Sequence, residues 1–180
     1  MGIVYWITGL SGAGKTTIGK LLYAKLKAKH GNTIFLDGDM LRKAFGDDLG
    51  YSEEDRRKCA MRYSRLCNML QEQEMNVVCC TISMFDSVRA WNRENIKNYC
   101  EIYVKASMQT LQARDQKGLY SRYLLGEEQE LAGVQVSMEE PKEPDLVLYN
   151  DGEKTPEGQV GVIMEFIEAK GKALESRQEK

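Results

Sequence analysis

Short apolar runs alternate along this chain with longer segments in which apolar residues recur every third or fourth position. Ile3-Val4-Tyr5-Trp6-Ile7, Thr33-Ile34-Phe35-Leu36, Val77-Val78-Cys79-Cys80-Thr81-Ile82, Cys100 to Val104 and Leu146-Val147-Leu148-Tyr149 read as strands buried on both faces. Between them the spacing predicts helices. The first runs from about Lys15 to Lys29, with Ile18, Leu21, Leu22 and Leu26 as its buried stripe and Gly31-Asn32 as its stop. A short helix carrying Arg42 follows the second strand. Ser52 and the acidic residues after it start a long helix to about Glu74, with Cys59, Tyr63, Leu66, Cys67 and Leu70 on one side. Further helices are expected from about Phe85 to Lys97, from the Ser107 cap to about Asp115, and after Thr155-Pro156, where Val160, Ile163, Met164 and Ile167 face inward. Strand–helix alternation of this kind predicts an α/β fold, a doubly wound parallel sheet, built as one domain over residues 1–180. Residues 116–142 break the pattern: they are polar, hold three glycines and end at Pro141, which suggests a mobile lid. From about Lys172 the tail is polar and is expected to fray.

The first strand runs into Gly9-Leu10-Ser11-Gly12-Ala13-Gly14-Lys15-Thr16, which fits the phosphate-binding G-x-x-x-x-G-K-[ST] loop. The glycines allow a tight curl that turns successive N–H groups onto phosphate oxygens, and the helix start adds its positive dipole end. Lys15 would reach the β- and γ-phosphates of ATP, and the Thr16 hydroxyl would bind Mg²⁺. A plain Gly-rich turn beside a core helix is the bland alternative, but the strand–loop–helix setting favours phosphate.

Asp37-Gly38-Asp39 closes the second strand at the carboxyl edge, where open α/β sheets bind ligands. Two carboxylates beside a triphosphate can hold Mg²⁺ through water or take a proton from an attacking hydroxyl; they can also merely cap the next helix. The spacing favours chemistry for Asp39 and leaves Asp37 open. The third strand ends without the Asp that ATPases and GTPases commonly place there, and the chain has no N-K-x-D guanine reader. Both observations turn the reading from a molecular switch toward a small-molecule kinase. At the mouth of the expected lid lies Arg114-Asp115-Gln116-Lys117-Gly118-Leu119-Tyr120. Arg114 could stack on a base or clamp phosphate and Lys117 could neutralise a transferring group, or both could be solvated cations at a helix C-terminus.

Composition narrows the classes further. A net charge of −2 argues against a broad nucleic-acid surface, and no apolar run approaches the length that spans a bilayer. The N-terminus enters a core strand at once, so no signal peptide is expected. Five cysteines without metal-ligand spacing read as free thiols in a reducing cytoplasm.

Together these residues resemble the adenylylsulfate kinase family. The resemblance is carried by Trp6-Ile7-Thr8-Gly9-Leu10-Ser11-Gly12-Ala13-Gly14-Lys15-Thr16-Thr17, Leu36-Asp37-Gly38-Asp39 with Arg42, Leu49-Gly50-Tyr51-Ser52, Asp55-Arg56, Ile82-Ser83 and Arg114 to Tyr120. Gly126-Glu127, Glu139, Pro141 and Pro144-Asp145-Leu146 complete it. It implies a P-loop kinase that moves the γ-phosphate of ATP to the 3′-hydroxyl of adenylylsulfate, acting as a homodimer. On the donor side Gly9, Ser11, Gly12, Ala13, Gly14, Lys15, Thr16, Thr17 and Arg114 would hold ATP and Mg²⁺. On the acceptor side the resemblance makes Asp39 the catalytic base, sets Arg42 and Arg56 on the acceptor's phosphate end, Tyr51 on its base, and Lys117 across the closing lid. Cys59, Ile82, Ser83 and Leu131 fall at the remaining acceptor positions. The chain departs from the pattern there. The family's Asn is Cys59, its I-S-P is Ile82-Ser83-Met84, an Arg of its lid becomes Leu124, and its F-T-G and P-Y-E become Leu131-Ala132-Gly133 and Ser137-Met138-Glu139. Some proteins similar to this family phosphorylate other nucleotide conjugates, such as cytidine diphosphoramidate. A P-loop hydrolase and a binding protein without catalysis are the remaining alternatives.

Overall fold

A computed structural model describes residues 2–46, 48–115, 118–125 and 138–178 of the chain, with side chains placed as far as residue 170. The elements run β1 (Val4–Thr8), α1 (Lys15–Lys29), β2 (Thr33–Asp37), α2 (Gly38–Phe45), α3 (Glu53–Glu72), β3 (Asn76–Cys80), α4 (Asp86–Asn95), β4 (Tyr99–Lys105), α5 (Met108–Arg114), α6 (Leu119–Leu124), β5 (Leu146–Tyr149) and α7 (Pro156–Gln178). The five strands are all parallel and lie in the order β2-β3-β1-β4-β5, so β1 sits at the centre with its neighbours wound outward on both sides. The expected doubly wound parallel sheet is therefore the observed one.

Alternation along each strand divides the core. Tyr5, Ile7, Val78 and Cys80 face the layer made by α1 and α7, where Ile18, Leu22, Leu26, Val160 and Ile163 are buried. Val4, Trp6, Val77 and Cys79 face the other layer, with Leu41 of α2, Cys59, Tyr63 and Cys67 of α3, and Val88 of α4. The adjacent thiols Cys79 and Cys80 thus belong to opposite layers, as a two-residue strand period requires. All five cysteines are free and buried. No described helix is long and apolar enough to cross a membrane.

Three elements differ from the sequence reading. β3 ends at Cys80 rather than Ile82, because the chain turns there into the site: Thr81 and Ser83 hydroxyls bond each other at 2.6 Å, and Ser83 takes a φ of 30°. Helix α6 lies within the expected lid. Asp115 starts it by accepting from the Tyr120 and Ser121 N–H groups, and Tyr120 is buried in the core. α7 continues to Gln178, past the expected fraying point, through residues of high helix propensity. Most of the expected lid, with Lys117 and Leu131, lies outside the described residues.

Candidate active site

β1 delivers the chain to the P-loop at the carboxyl edge of the sheet, and α1 begins directly behind it. Gly14, which precedes the helix, has φ 101° and supplies no side-chain cap, so the first N–H groups of α1 stay open toward an incoming anion. Only glycine fits there: a Cβ on Gly14 would lie 2.5 Å from the Asn150 amide nitrogen. That amide donates to the Ala13 carbonyl at 2.8 Å, and Arg114 donates to the Gly12 carbonyl at 3.2 Å and to the Asn150 carbonyl at 2.9 Å. Arg114 therefore braces the loop from behind, beside the turn that follows β5. Gly9 also belongs to this backing, set against the Val104 carbonyl. Lys15 is buried and bonds the Leu10 carbonyl at 2.7 Å, which lays its ammonium across the loop.

One cavity opens in front of the loop. Its wall includes Ser11, Gly12, Gly14, Lys15, Thr16 and Thr17 on the donor side. Asp39, Arg42, Tyr51, Arg56, Cys59, Ile82 and Ser83 complete it on the other side. The structure thus brings together the described acceptor and phosphate-loop candidates, apart from Gly9, Ala13 and Arg114, which support the loop from outside the cavity.

Asp37 links the two sides. Its Oδ2 accepts from the Thr16 hydroxyl at 2.7 Å, and its Oδ1 accepts from the Asp39 N–H at 3.0 Å, capping α2. The carboxylate that β3 lacks is supplied by β2. Since the Thr16 proton is spent on Asp37, the hydroxyl lone pairs are left for a cation, and an all-oxygen set of Thr16, Asp37 and phosphates suits Mg²⁺. Among the described residues no cluster of three or more His, Cys, Asp or Glu competes for a metal. Behind the loop, burial pushes the Cys80 thiol pKa well up, and the neutral thiol donates to the Lys15 carbonyl at 3.3 Å.

On the acceptor side Arg42 donates to the carbonyls of Leu49 and Gly50 at 2.8 and 2.9 Å, and Arg56 to that of Tyr51 at 2.6 Å. Their guanidinium groups stand 4.4 and 5.3 Å from the centre of the Tyr51 ring. The two arginines therefore shape the loop that presents Tyr51, and a guanidinium fork is the group whose geometry matches phosphate.

Several wall residues were not singled out from the sequence. Tyr63 lies one helical turn beyond Cys59, on a stripe that reads as core. Phe85, at the start of α4, carries the Arg57 guanidinium 4.4 Å over its ring. Met138 also lines the cavity. Its position is fixed by Glu139, whose N–H donates to the Met84 carbonyl at 2.9 Å and whose carboxylate accepts the Asp86 N–H at 2.5 Å at the start of α4. Asn150 could have been found from its place just past the last strand, at the ligand-binding edge.

Residues 1–149 match the adenylylsulphate kinase family. The chain belongs to that family. This kinase is 42% identical over 164 residues to the cytidine diphosphoramidate kinase of Campylobacter jejuni, covering 91% of this chain and 95% of that one. It is 37% identical over 170 residues to the adenylyl-sulfate kinase of Halothermothrix orenii, covering 94% and 91%. Among solved structures it resembles the APS kinase of Mycobacterium tuberculosis in complex with AMPPNP and APS, with a TM-score of 0.85, 31% identity and coverage of 93% and 98%. The kinase is accordingly a phosphotransferase that binds ATP.

Proposed function

We propose that this kinase transfers the γ-phosphate of ATP to the ribose 3′-hydroxyl of a nucleotide conjugate, with adenylylsulfate as the acceptor that family membership favours. The observation that carries the reading is the shared cavity onto which the P-loop and Asp39 both open. The Asp39 carboxylate takes the proton of the 3′-hydroxyl, whose oxygen attacks the γ-phosphorus while the bond to the bridging oxygen of ADP breaks. Lys15 and the open N–H groups of α1 stabilise the charge that spreads over the transferring group. Thr16 and Asp37 would hold Mg²⁺, which would neutralise charge on the phosphates of ATP. Arg42 and Arg56 hold the acceptor's phosphate end, and Tyr51 stacks on its base.

A second acceptor, cytidine diphosphoramidate, is supported by the cavity wall itself. Cys59 stands where the family has an amide, and Met138, from a segment that departs from the family pattern, lines the same cavity. The relative from Campylobacter jejuni carries that name. Two further properties follow from family and composition: a homodimer, to be measured by light scattering, and residence in the cytoplasm, with which five free thiols accord. Phosphorus NMR of the products tests the reaction. ADP together with a ribose phosphomonoester is expected; ADP with inorganic phosphate alone marks a hydrolase and overturns the reading.

A further inference from the structure

Cys59 and Tyr63 lie one turn apart on α3, both buried and both in the cavity wall. The Tyr63 hydroxyl donates to the Gly38 carbonyl at 3.2 Å. A carbonyl only accepts, so this bond uses the single phenolic proton. The Cys59 sulfur lies 3.2 Å from the same oxygen and has no phenolic proton left to accept, so its S–H is the donor. One lone pair of the phenolic oxygen then remains. Burial pushes the Tyr63 pKa far above its ordinary range, so the phenol keeps its proton throughout the neutral range. The ring is fixed by stacking on Phe45, 6.0 Å between centres and 17° between planes. The pair therefore offers acceptors and no spare proton. An amide at position 59 would offer both and accommodate either kind of base edge.

We propose that the Tyr63 oxygen is a specificity-determining contact that accepts a hydrogen bond from an exocyclic amino group of the acceptor base and rejects bases with a carbonyl there. Adenine and cytosine present that amino group; hypoxanthine and uracil present an oxygen, which would meet a lone pair instead of a proton. The inference rests on the reading of this cavity as a nucleotide-conjugate site and adds the chemical class of base. It also makes the loss of the amide at position 59 intelligible, because selection passes to a residue one turn further along the same helix.

The probes are AMP, IMP, CMP and UMP, titrated calorimetrically into the protein with AMPPNP saturating the donor site. AMP is expected to bind more tightly than IMP, and CMP more tightly than UMP, by about tenfold or more, the usual consequence of leaving a buried polar group unpaired. Tyr63→Phe should shrink both ratios to less than about twofold, whereas Cys59→Ala should keep them. AMPPNP affinity shows that each variant is folded. Equal binding of amino and oxo bases by the unaltered protein overturns the inference and leaves the kinase reading standing, and so does an equal loss for all four probes in Tyr63→Phe, which marks a structural role. If AMPPNP binds and none of the four probes does, the acceptor reading falls and the inference with it.

Discussion

The two sides of the cavity are built in different ways. The donor side is mostly backbone: loop N–H groups, the start of α1, and carbonyls of Gly12 and Ala13 held from behind by Arg114 and Asn150. The acceptor side is mostly side chains set on α2, α3, the β3–α4 turn and the segment that ends at Glu139. Backbone recognition of phosphate tolerates no change in the loop, since a Cβ on Gly14 would collide with Asn150. Side-chain recognition of a base can be altered one residue at a time without disturbing the frame. Two departures from the family pattern, Cys59 and Met138, fall on that second side, and the fold explains why they can.

The contrast can be broken from either direction. The largest effect is expected at Asp39, where Asp39→Asn keeps the side-chain shape and removes the proton acceptor. Phosphoryl transfer should fall about a thousandfold, within the range for general bases, while ATP binding measured by calorimetry stays near normal. A harmful Asp37→Asn beside a harmless Asp39→Asn would reverse the two roles, given that Asp37 caps α2 and holds Thr16.

Lys15→Ala comes next. Removing a preorganised cation from the transferring phosphate should lower kcat/KM by about a hundredfold or more and weaken ATP binding. Turnover close to normal in steady-state assays would contradict the assignment of the P-loop. A smaller effect is expected from Asn150→Ala, which leaves the Ala13 carbonyl without its amide donor. A loss of about 1 kcal/mol of stability, read as a lower thermal midpoint, should accompany a rise in KM for ATP, with KM for the acceptor unchanged. On the acceptor side a gain is expected in place of a loss. Cys59→Asn with Leu131→Phe restores two family residues and should raise efficiency with adenylylsulfate by about tenfold, because base–aromatic stacking is worth about 1–3 kcal/mol. No gain, in a variant that still turns over, would mean that these positions do not set the choice of base.

Much of this was legible in the sequence, for identifiable reasons. Strand and helix periods gave the order of elements along the chain, and the P-loop and Asp37-Gly38-Asp39 announced themselves by spacing at strand ends. What stayed hidden depended on contacts between distant segments. Tyr63 reads as a core residue because its helix stripe is apolar; only the fold shows its hydroxyl between Gly38 and Cys59. Asn150 is separated from the P-loop by 137 residues. Helix α6 was obscured because Leu119, Tyr120 and Tyr123 are embedded in a polar stretch, and its start depends on the Asp115 cap.

The central claim, a donor half that keeps the P-loop pattern serving an altered acceptor half, is tested most directly by acceptor-dependent ADP release. ATP and Mg²⁺ are supplied alone, with adenylylsulfate, or with cytidine diphosphoramidate, and ADP and phosphorylated nucleotide are quantified together. The account predicts ADP release only when a conjugate is present, matched one for one by phosphorylated nucleotide. ADP released equally fast without acceptor, or no transfer to either conjugate, would contradict it.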